Sequence, residues 1–286
     1  RKMERIIGKL SIIVIALMLC LALGTVGQAA VEDGVEVVHC FDDLLDDSSN
    51  GHDASTHGHA YLSDGMVYFD GSGDYVNVGS GTWSSNPCNG SIDFTIAIAY
   101  ACTNTVQGVV EGENSVLACI GDPSTGGGSG HLTIFTNNNG QYVDSWYVGA
   151  ALGGLQFSGL SFSFSDGNMH YCFITYNAGT DLVQLYALDS GSAVSGPSDT
   201  LGINTTGSGI YPRLGRAHDD PYDDFASVEL NGQISLFAIW NRILTTGEME
   251  AVEDLCVPPH PCRPGNVSPS NNEEHVDYRN LTLDWE

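Results

Sequence analysis

The sequence predicts an all-β domain, an antiparallel sandwich or barrel with one short helix near its end, and three observations predict it. Short runs rich in Val, Ile, Phe, Tyr and Thr recur along the chain, bounded by clusters of Gly, Asn, Asp or Ser, which is the rhythm of strands and turns. No amphipathic helical stretch lies between these runs. The crossovers that parallel strands need are therefore missing, and antiparallel pairing is expected. Helical spacing occurs once: Thr245-Thr246-Gly247-Glu248 has the form of a capping box, and Met249, Val252 and Leu255 recur on one face behind it.

Residues 1–29 stand outside that domain. Arg1, Lys2, Arg5 and Lys9 make a basic start, Leu10 to Leu23 is an apolar run, and Gly27-Gln28-Ala29 puts small residues where a signal peptidase reads. A signal peptide over 1–29 is expected. The apolar run is shorter than the about 20 residues that a spanning helix needs. No membrane insertion is expected after signal removal, and the expected location is secreted, extracellular or cell-surface.

The strands follow in order. Val35 to Phe41 is the first, and an acidic loop runs from Asp42 to His59. From Gly65 to Gly79, Val67 and Phe69 alternate with Met66 and Tyr68, Gly71-Ser72-Gly73-Asp74 turns the chain, and Tyr75, Val76 and Val78 resume the β-prone run. The expectation there is a hairpin. From Phe94 to Cys102 large residues alternate with Thr95, Ala97, Ala99 and Ala101, as in a strand buried on its bulky side and closely packed on the other. Further strands are expected at Val116 to Ile120, His131 to Thr136, Tyr142 to Val148, Leu155 to Phe164, Met169 to Tyr176, Leu182 to Ala187, Tyr211 to Leu214 and Ser227 to Trp240. The domain is expected to span 31–256. Residues 257–275, rich in Pro, Asn and acid, read as a linker. Leu281 to Trp285 alternates like a strand, so 276–286 reads as the truncated start of a further β domain in a larger multidomain chain.

Charge narrows the partners. The chain has 35 carboxylates against nine Lys and Arg, a formal net charge of −26, and four of those nine basic residues lie in the expected signal. Such a surface repels phosphate backbones, which excludes nucleic acid, and attracts cations, of which calcium suits carboxylate and carbonyl oxygens. Seven of the eight cysteines lie beyond the signal, an odd number consistent with an oxidising destination. Cys256 and Cys262, separated by five residues, are the expected disulfide, a small clip at the domain edge.

Taken in order, these pieces resemble the laminin-G-like, concanavalin A-like lectin/glucanase superfamily. The resemblance rests on Cys40-Phe41-Asp42 with the loop Asp47 to Asp53, on YFDGSGDYVNV (68–78), on SIDFTIAIAY (91–100), on DGNMHYCFITYN (166–177), on Arg213-Leu214-Gly215 and on NGQISLFAIWNRILTTGEMEAV (231–252). It implies a two-sheet antiparallel jelly-roll sandwich with one short C-terminal helix. The downstream residues resemble the start of a fibronectin-III-like or immunoglobulin-like module. In the fold so implied, the acidic loop and the Gly65–Gly79 segment are neighbours, so Asp47, Asn50, Asp53, Asp70 and Asp74 become candidate ligands of one structural Ca2+. A second acidic run holds Asp219, Asp220, Asp223 and Asp224.

Glycosidases of this superfamily place paired carboxylates on one strand in a Glu-x-Asp-x-Glu pattern. No such triplet occurs here. Carbohydrate recognition needs instead exposed rings beside amides and carboxylates. Tyr142, Asp144 and Trp146 alternate onto one strand face, and Trp83 is a second candidate. The reading is therefore a secreted non-catalytic binding or adhesion module for carbohydrate or another extracellular surface ligand. The alternatives are a glycan-active enzyme or its accessory domain, and a structural spacer of a surface protein.

Overall fold

The computed structural model describes residues 31–83, 87–88, 90–102, 114–121, 131–137, 145–150, 153–157, 166–200, 211–216 and 227–256. The expected signal, linker and downstream module lie outside these residues, as do Tyr142, Asp144, Cys262 and the acidic run 219–224.

Two sheets make a β-sandwich. Its strands are β1 (Val35–His39), β2 (Ala54–His57), β3 (Tyr61–Ser63), β4 (Met66–Asp70), β5 (Tyr75–Val78), β6 (Phe94–Cys102), β7 (Asn114–Gly121) and β8 (His131–Asn137). They continue with β9 (Ser145–Ala150), β10 (Gly153–Phe157), β11 (His170–Asn177), β12 (Leu182–Asp189), β13 (Ser192–Thr200), β14 (Arg213–Leu214), β15 (Ser227–Val228) and β16 (Asn231–Trp240). The first sheet has the order β13-β12-β11-β6-β16-β4-β3, with β1 also on β16; the second has β10-β9-β8-β7-β14-β5-β2, with β15 also on β7. The expected antiparallel pairing holds throughout except between β15 and β7, a parallel contact of two residues.

Strand β6 shows why the sequence folds this way. All nine of its residues are buried. Phe94, Ile96, Ile98 and Tyr100 enter the core between the sheets with Val67, Val76, Val78, Leu117, Ile134, Ile174 and Phe237. Ala97 and Ala99, on the other face, join a second cluster with Phe173, Leu236, Ala238, Trp240, Met249 and Val252. The small residues leave room for the helix α1 (Thr246–Val252) to lie on that outer face. Each of Met249 and Val252 contributes roughly 1.5–3 kcal/mol by burial there. The capping box forms as expected: Thr245 accepts from the Glu248 N–H, and Glu248 accepts from the Thr245 N–H at 2.7 Å. Arg242 Nη2 lies 2.9 Å from the Glu248 carboxylate, and the Trp240 indole donates to Val31 O at 2.6 Å.

Three expectations are corrected. The Gly65–Gly79 segment is no hairpin: β4 pairs with β3 and β16 in the first sheet, and β5 pairs with β2 and β14 in the second. The turn carries the chain from one sheet to the other, so that Val67 and Phe69 meet Val76 and Val78 across the core instead of along a ladder. Gly71 (φ +80°) and Gly73 (φ +78°) supply the left-handed backbone that this arch requires. Next, the disulfide joins Cys40 to Cys256, 216 residues apart, fastening the end of β1 to the turn behind α1. Cys256 is thereby used within the domain and is not a clip to Cys262. Finally, β2, β3 and β13 are strands that periodicity did not reveal, and Ser227 to Trp240 is two strands.

Candidate functional site

The acidic loop is built inward, around a residue that the sequence reading passed over. Asp46 is 8 % exposed. Its Oδ1 accepts from the Val38 N–H at 3.2 Å, the Ser48 N–H at 2.9 Å and the Ser48 hydroxyl at 2.7 Å, and its Oδ2 accepts from the His52 N–H at 3.0 Å. The candidate ligands beside it are also committed to the chain. Asp53 accepts from the Asp46 N–H at 3.0 Å, Asp47 from the Cys40 N–H at 3.2 Å, and the Asn50 amide donates to Val35 O and Glu36 O.

A second knot holds the arch. Asp74, buried, accepts from the His59 N–H at 2.5 Å and the Asp70 N–H at 2.8 Å. A Cβ on Gly58 would stand 2.4 Å from Gly73 O and 2.6 Å from Asp74 Oδ1, so only glycine admits this approach. Across the arch, Glu229 accepts from the Gly73 N–H and faces Arg216 Nε at 3.3 Å. Among the described residues, the one group of three His, Cys, Asp or Glu with ligand atoms within 4.8 Å is His59, Asp70 and Asp74. The structure thus brings Asp70 and Asp74 together with His59, and not with Asp47 or Asp53, whose carboxylates serve the other knot.

An ordered polar array lies on the side of the second sheet away from the core, with Ser55, His57 and Tyr75 half-buried and Asn77 and Arg213 buried. Ser55 and His57 of β2, Tyr75 and Asn77 of β5 and Arg213 of β14 share its outer face, because Ala54, Val76, Val78 and Leu214 point into the core. The His57 ring stacks on Tyr75 at 4.4 Å, and the Arg213 guanidinium lies 4.4 Å from the centroid of the same Tyr75 ring. Asn77 ties the outer pair together. Arg213 Nε can only donate, so it fixes the Asn77 oxygen at 3.1 Å; the Asn77 amide then donates to His57 Nε2 at 3.0 Å. In this network His57 Nε2 is assigned as an acceptor, which leaves Nδ1 to carry the N–H. This array was hidden in the sequence because its members come from three strands, with Arg213 lying 136 residues beyond Asn77. The legible signal was only the alternation that turns Tyr75 and Asn77 to one side of β5.

The aromatic candidates fall differently. Trp83 is half-buried: its indole donates to Val78 O at 2.9 Å and its face is stacked by His52 at 3.7 Å. His52 Nδ1 lies 2.8 Å from the Thr82 hydroxyl, which closes this end of β5. Trp146 lies on β9, in register with buried Thr136 of β8 and with Phe157 of β10.

The carboxylates of the loop and of the helix cap set the acid response. Burial acts to raise the Asp46 pKa, and the bonds from the Ser48 hydroxyl and from the His52, Ser48 and Val38 amides together outweigh it, leaving it below the usual range. Burial likewise opposes, and the Arg242 and Thr245 contacts outweigh, for Glu248, which is also lowered. Both groups contribute stability that is present above the unfolded carboxylate range and lost as pH falls through their folded values. Burial lowers His52 as well, so its contribution is lost as pH falls below about 6.5. Asp47, raised chiefly by burial, works in the opposite sense. The melting temperature is expected to fall steadily from pH 6.5 to pH 3, most steeply in the carboxylate range; a flat profile, followed by circular dichroism, would contradict the assignment of Asp46.

No protein-family model and no curated protein matches the chain. Solved structures share the fold. The botulinum neurotoxin serotype C1 binding domain is 14 % identical, with a TM-score of 0.54 over 79 % of this chain and 53 % of that one. A second structure, reported under the finding that cell entry of botulinum neurotoxin type C depends on interaction with two ganglioside molecules, is 15 % identical, with a TM-score of 0.52 over 80 % and 53 %. The CBM40 module of a Ruminococcus gnavus IT-sialidase gives 15 % identity and a TM-score of 0.41 over 57 % of this chain and 84 % of that one. The chain spans about half the length of the toxin domains it matches. For the two toxin structures the likeness, at these identities, is one of fold.

Proposed function

We propose that this chain is a secreted, non-catalytic binding module of laminin-G-like type that holds carbohydrate on the outer face of its second sheet. The observation that carries the reading is the rigid His57–Tyr75–Arg213 stack with Asn77 behind it. His57 and Tyr75, both half-buried, are the ligand-facing groups of the stack, and the buried Arg213 and Asn77 hold the two rings in fixed relation, so that little entropy is lost on binding. The acids of the described loops speak for the same reading, since Asp46, Asp53 and Asp74 are engaged in accepting backbone N–H bonds rather than set as an acid and base pair. The fold neighbours add support at the level of architecture, one being named for ganglioside interaction. A calcium ion here would be structural and would have Asp70 and Asp74 of the arch, beside His59, as its candidate ligands, with Asp47, Asn50 and Asp53 left to the separate loop knot.

The test is a glycan array probed with the domain 31–256 in calcium and again in chelator, alongside His57→Ala and Trp146→Ala. Binding to at least one glycan, weakened about tenfold or more by His57→Ala with the circular dichroism unchanged, is expected. Calcium dependence would appear as a lower melting temperature in chelator. No glycan bound, or binding indifferent to His57→Ala and lost in Trp146→Ala, would overturn this placement of the site.

A further inference from the structure

The first sheet carries a second aromatic feature that the helix leaves uncovered. Helix α1 lies over the part of the outer face made by Ala97, Ala99, Phe173, Leu236, Ala238 and Trp240. Toward the β3 edge that face continues as a row across four strands, Tyr61 of β3 opposite Tyr68 of β4, Tyr68 opposite Gln233 of β16, and Gln233 opposite Ala101 of β6. Val67 and Phe69 point into the core, so Tyr68 points away from it, and Leu62 packing on the core turns Tyr61 the same way. The two tyrosine rings stack at 5.1 Å with 9° between their planes. Tyr61 is 58 % exposed, among the most exposed large side chains of the described residues. No hydrogen bond of the Gln233 amide occurs among the described residues, and it stands half-exposed beside the rings.

We infer that Tyr61 and Tyr68 form a stacking platform for a neutral pyranose, a second carbohydrate contact on the sheet opposite the His57 array. The inference shares the ligand class of the proposed function and none of its residues. Three properties select this occupant. The feature is one stacked pair of rings, whereas a second copy or a protein partner needs about 800 Å² per side, and among the described residues the other exposed large apolar side chains (Leu45, Ile92, Leu182, Ile243) lie on other elements. The ionisable groups along the same two strands and their turn are acids, Asp64 and Asp70, in a chain of net charge −26, which turns away nucleobases on their phosphate backbone and acidic sugars. Finally, the rings are flanked by groups that hold hydroxyls, the tyrosine OH groups, the Gln233 amide and the Ser63 hydroxyl, which donates to Asp64 Oδ2 at 3.0 Å and keeps its oxygen as an acceptor. A ring with a C–H face and hydroxyl edges matches that arrangement.

Affinity electrophoresis in native gels containing one neutral polysaccharide each (mannan, xyloglucan, hydroxyethylcellulose, soluble starch) tests it, with wild type, Tyr61→Ala, Tyr61→Phe and His57→Ala. At least one polysaccharide is expected to retard wild type. Tyr61→Ala should raise the apparent Kd about tenfold or more, Tyr61→Phe should keep most of the retardation, and His57→Ala should leave retardation by that polysaccharide in place. Failure of the His57 array alone would show as array binding lost with this retardation intact. No retardation by any of the four, or equal retardation of Tyr61→Ala and wild type, would overturn the inference. So would a concentration-dependent dimer in sedimentation that disappears in Tyr61→Ala, which would assign the rings to a second copy.

Discussion

Asp46→Ala is expected to lower the unfolding free energy by about 3 kcal/mol or more, the scale of hydrogen bonds to a charged group together with the cost of leaving buried donors unsatisfied. The carboxylate accepts four bonds and anchors both ends of the 42–53 loop, to β1 through Val38 and to the stacked His52–Trp83 pair through the His52 amide. Alanine would leave the Val38 N–H, itself buried, without a partner. In a domain of this size the corresponding fall in Tm is roughly 6–12 °C. Asp46→Asn keeps one acceptor oxygen and should lose less, whereas Asp43→Ala, on the exposed side of the loop, should change little. A Tm for Asp46→Ala within 2 °C of wild type, roughly a 0.5 kcal/mol effect, would show that the loop stands without this carboxylate.

Removing the disulfide should have a comparable effect by a different route. Joining Cys40 to Cys256 closes nearly the whole domain, and closing a loop of 216 residues restricts the unfolded chain by about 5 kcal/mol in the chain-entropy account, with 2–4 kcal/mol typical of measured bridges. In the folded state the bridge holds the turn behind α1 against β1, next to the cluster that receives Met249 and Val252. The double variant Cys40→Ser/Cys256→Ser is therefore expected to lose about 2–5 kcal/mol. Dithiothreitol should lower the Tm of wild type and leave that of the double variant unchanged. Peptide mapping under non-reducing conditions should recover a cross-linked peptide containing Cys40 and Cys256; recovery of Cys256 joined to Cys262 would contradict the pairing.

Much of the architecture was legible because it is written in local alternation. The bulky and small sides of Phe94 to Cys102 foretold a strand buried on both faces, and the capping box at Thr245 and Glu248 foretold the helix. The arch was misread as a hairpin for a physical reason. Alternation gives which side of a strand is apolar and the glycines give a turn, but both are the same whether two strands pair in one sheet or face each other from two. Short strands escaped for lack of signal: β2 and β3 are four and three residues in a polar loop, and β13 carries Gly196 and Pro197, tolerated because it is an edge strand. The candidate sites were less legible still. Asp42, Asp43, Asp46, Asp47 and Asp53 are alike on the page, and only the tertiary fold buries Asp46 among four donors. The same holds for the array and the tyrosine pair, since His57, Tyr75 and Arg213 meet through pairing across β2, β5 and β14, and Tyr61 meets Tyr68 through an edge strand that periodicity did not reveal.

The proposed function is tested most directly by titrating the isotopically labelled domain with the glycan bound best on the array, while following amide and imidazole resonances. Carbohydrate binding on the second sheet predicts saturable shifts centred on His57, Tyr75, Asn77 and Arg213, with the His57 Nδ1–H slowed in exchange. Saturable shifts that spare all four, or no shifts with any glycan, would contradict it.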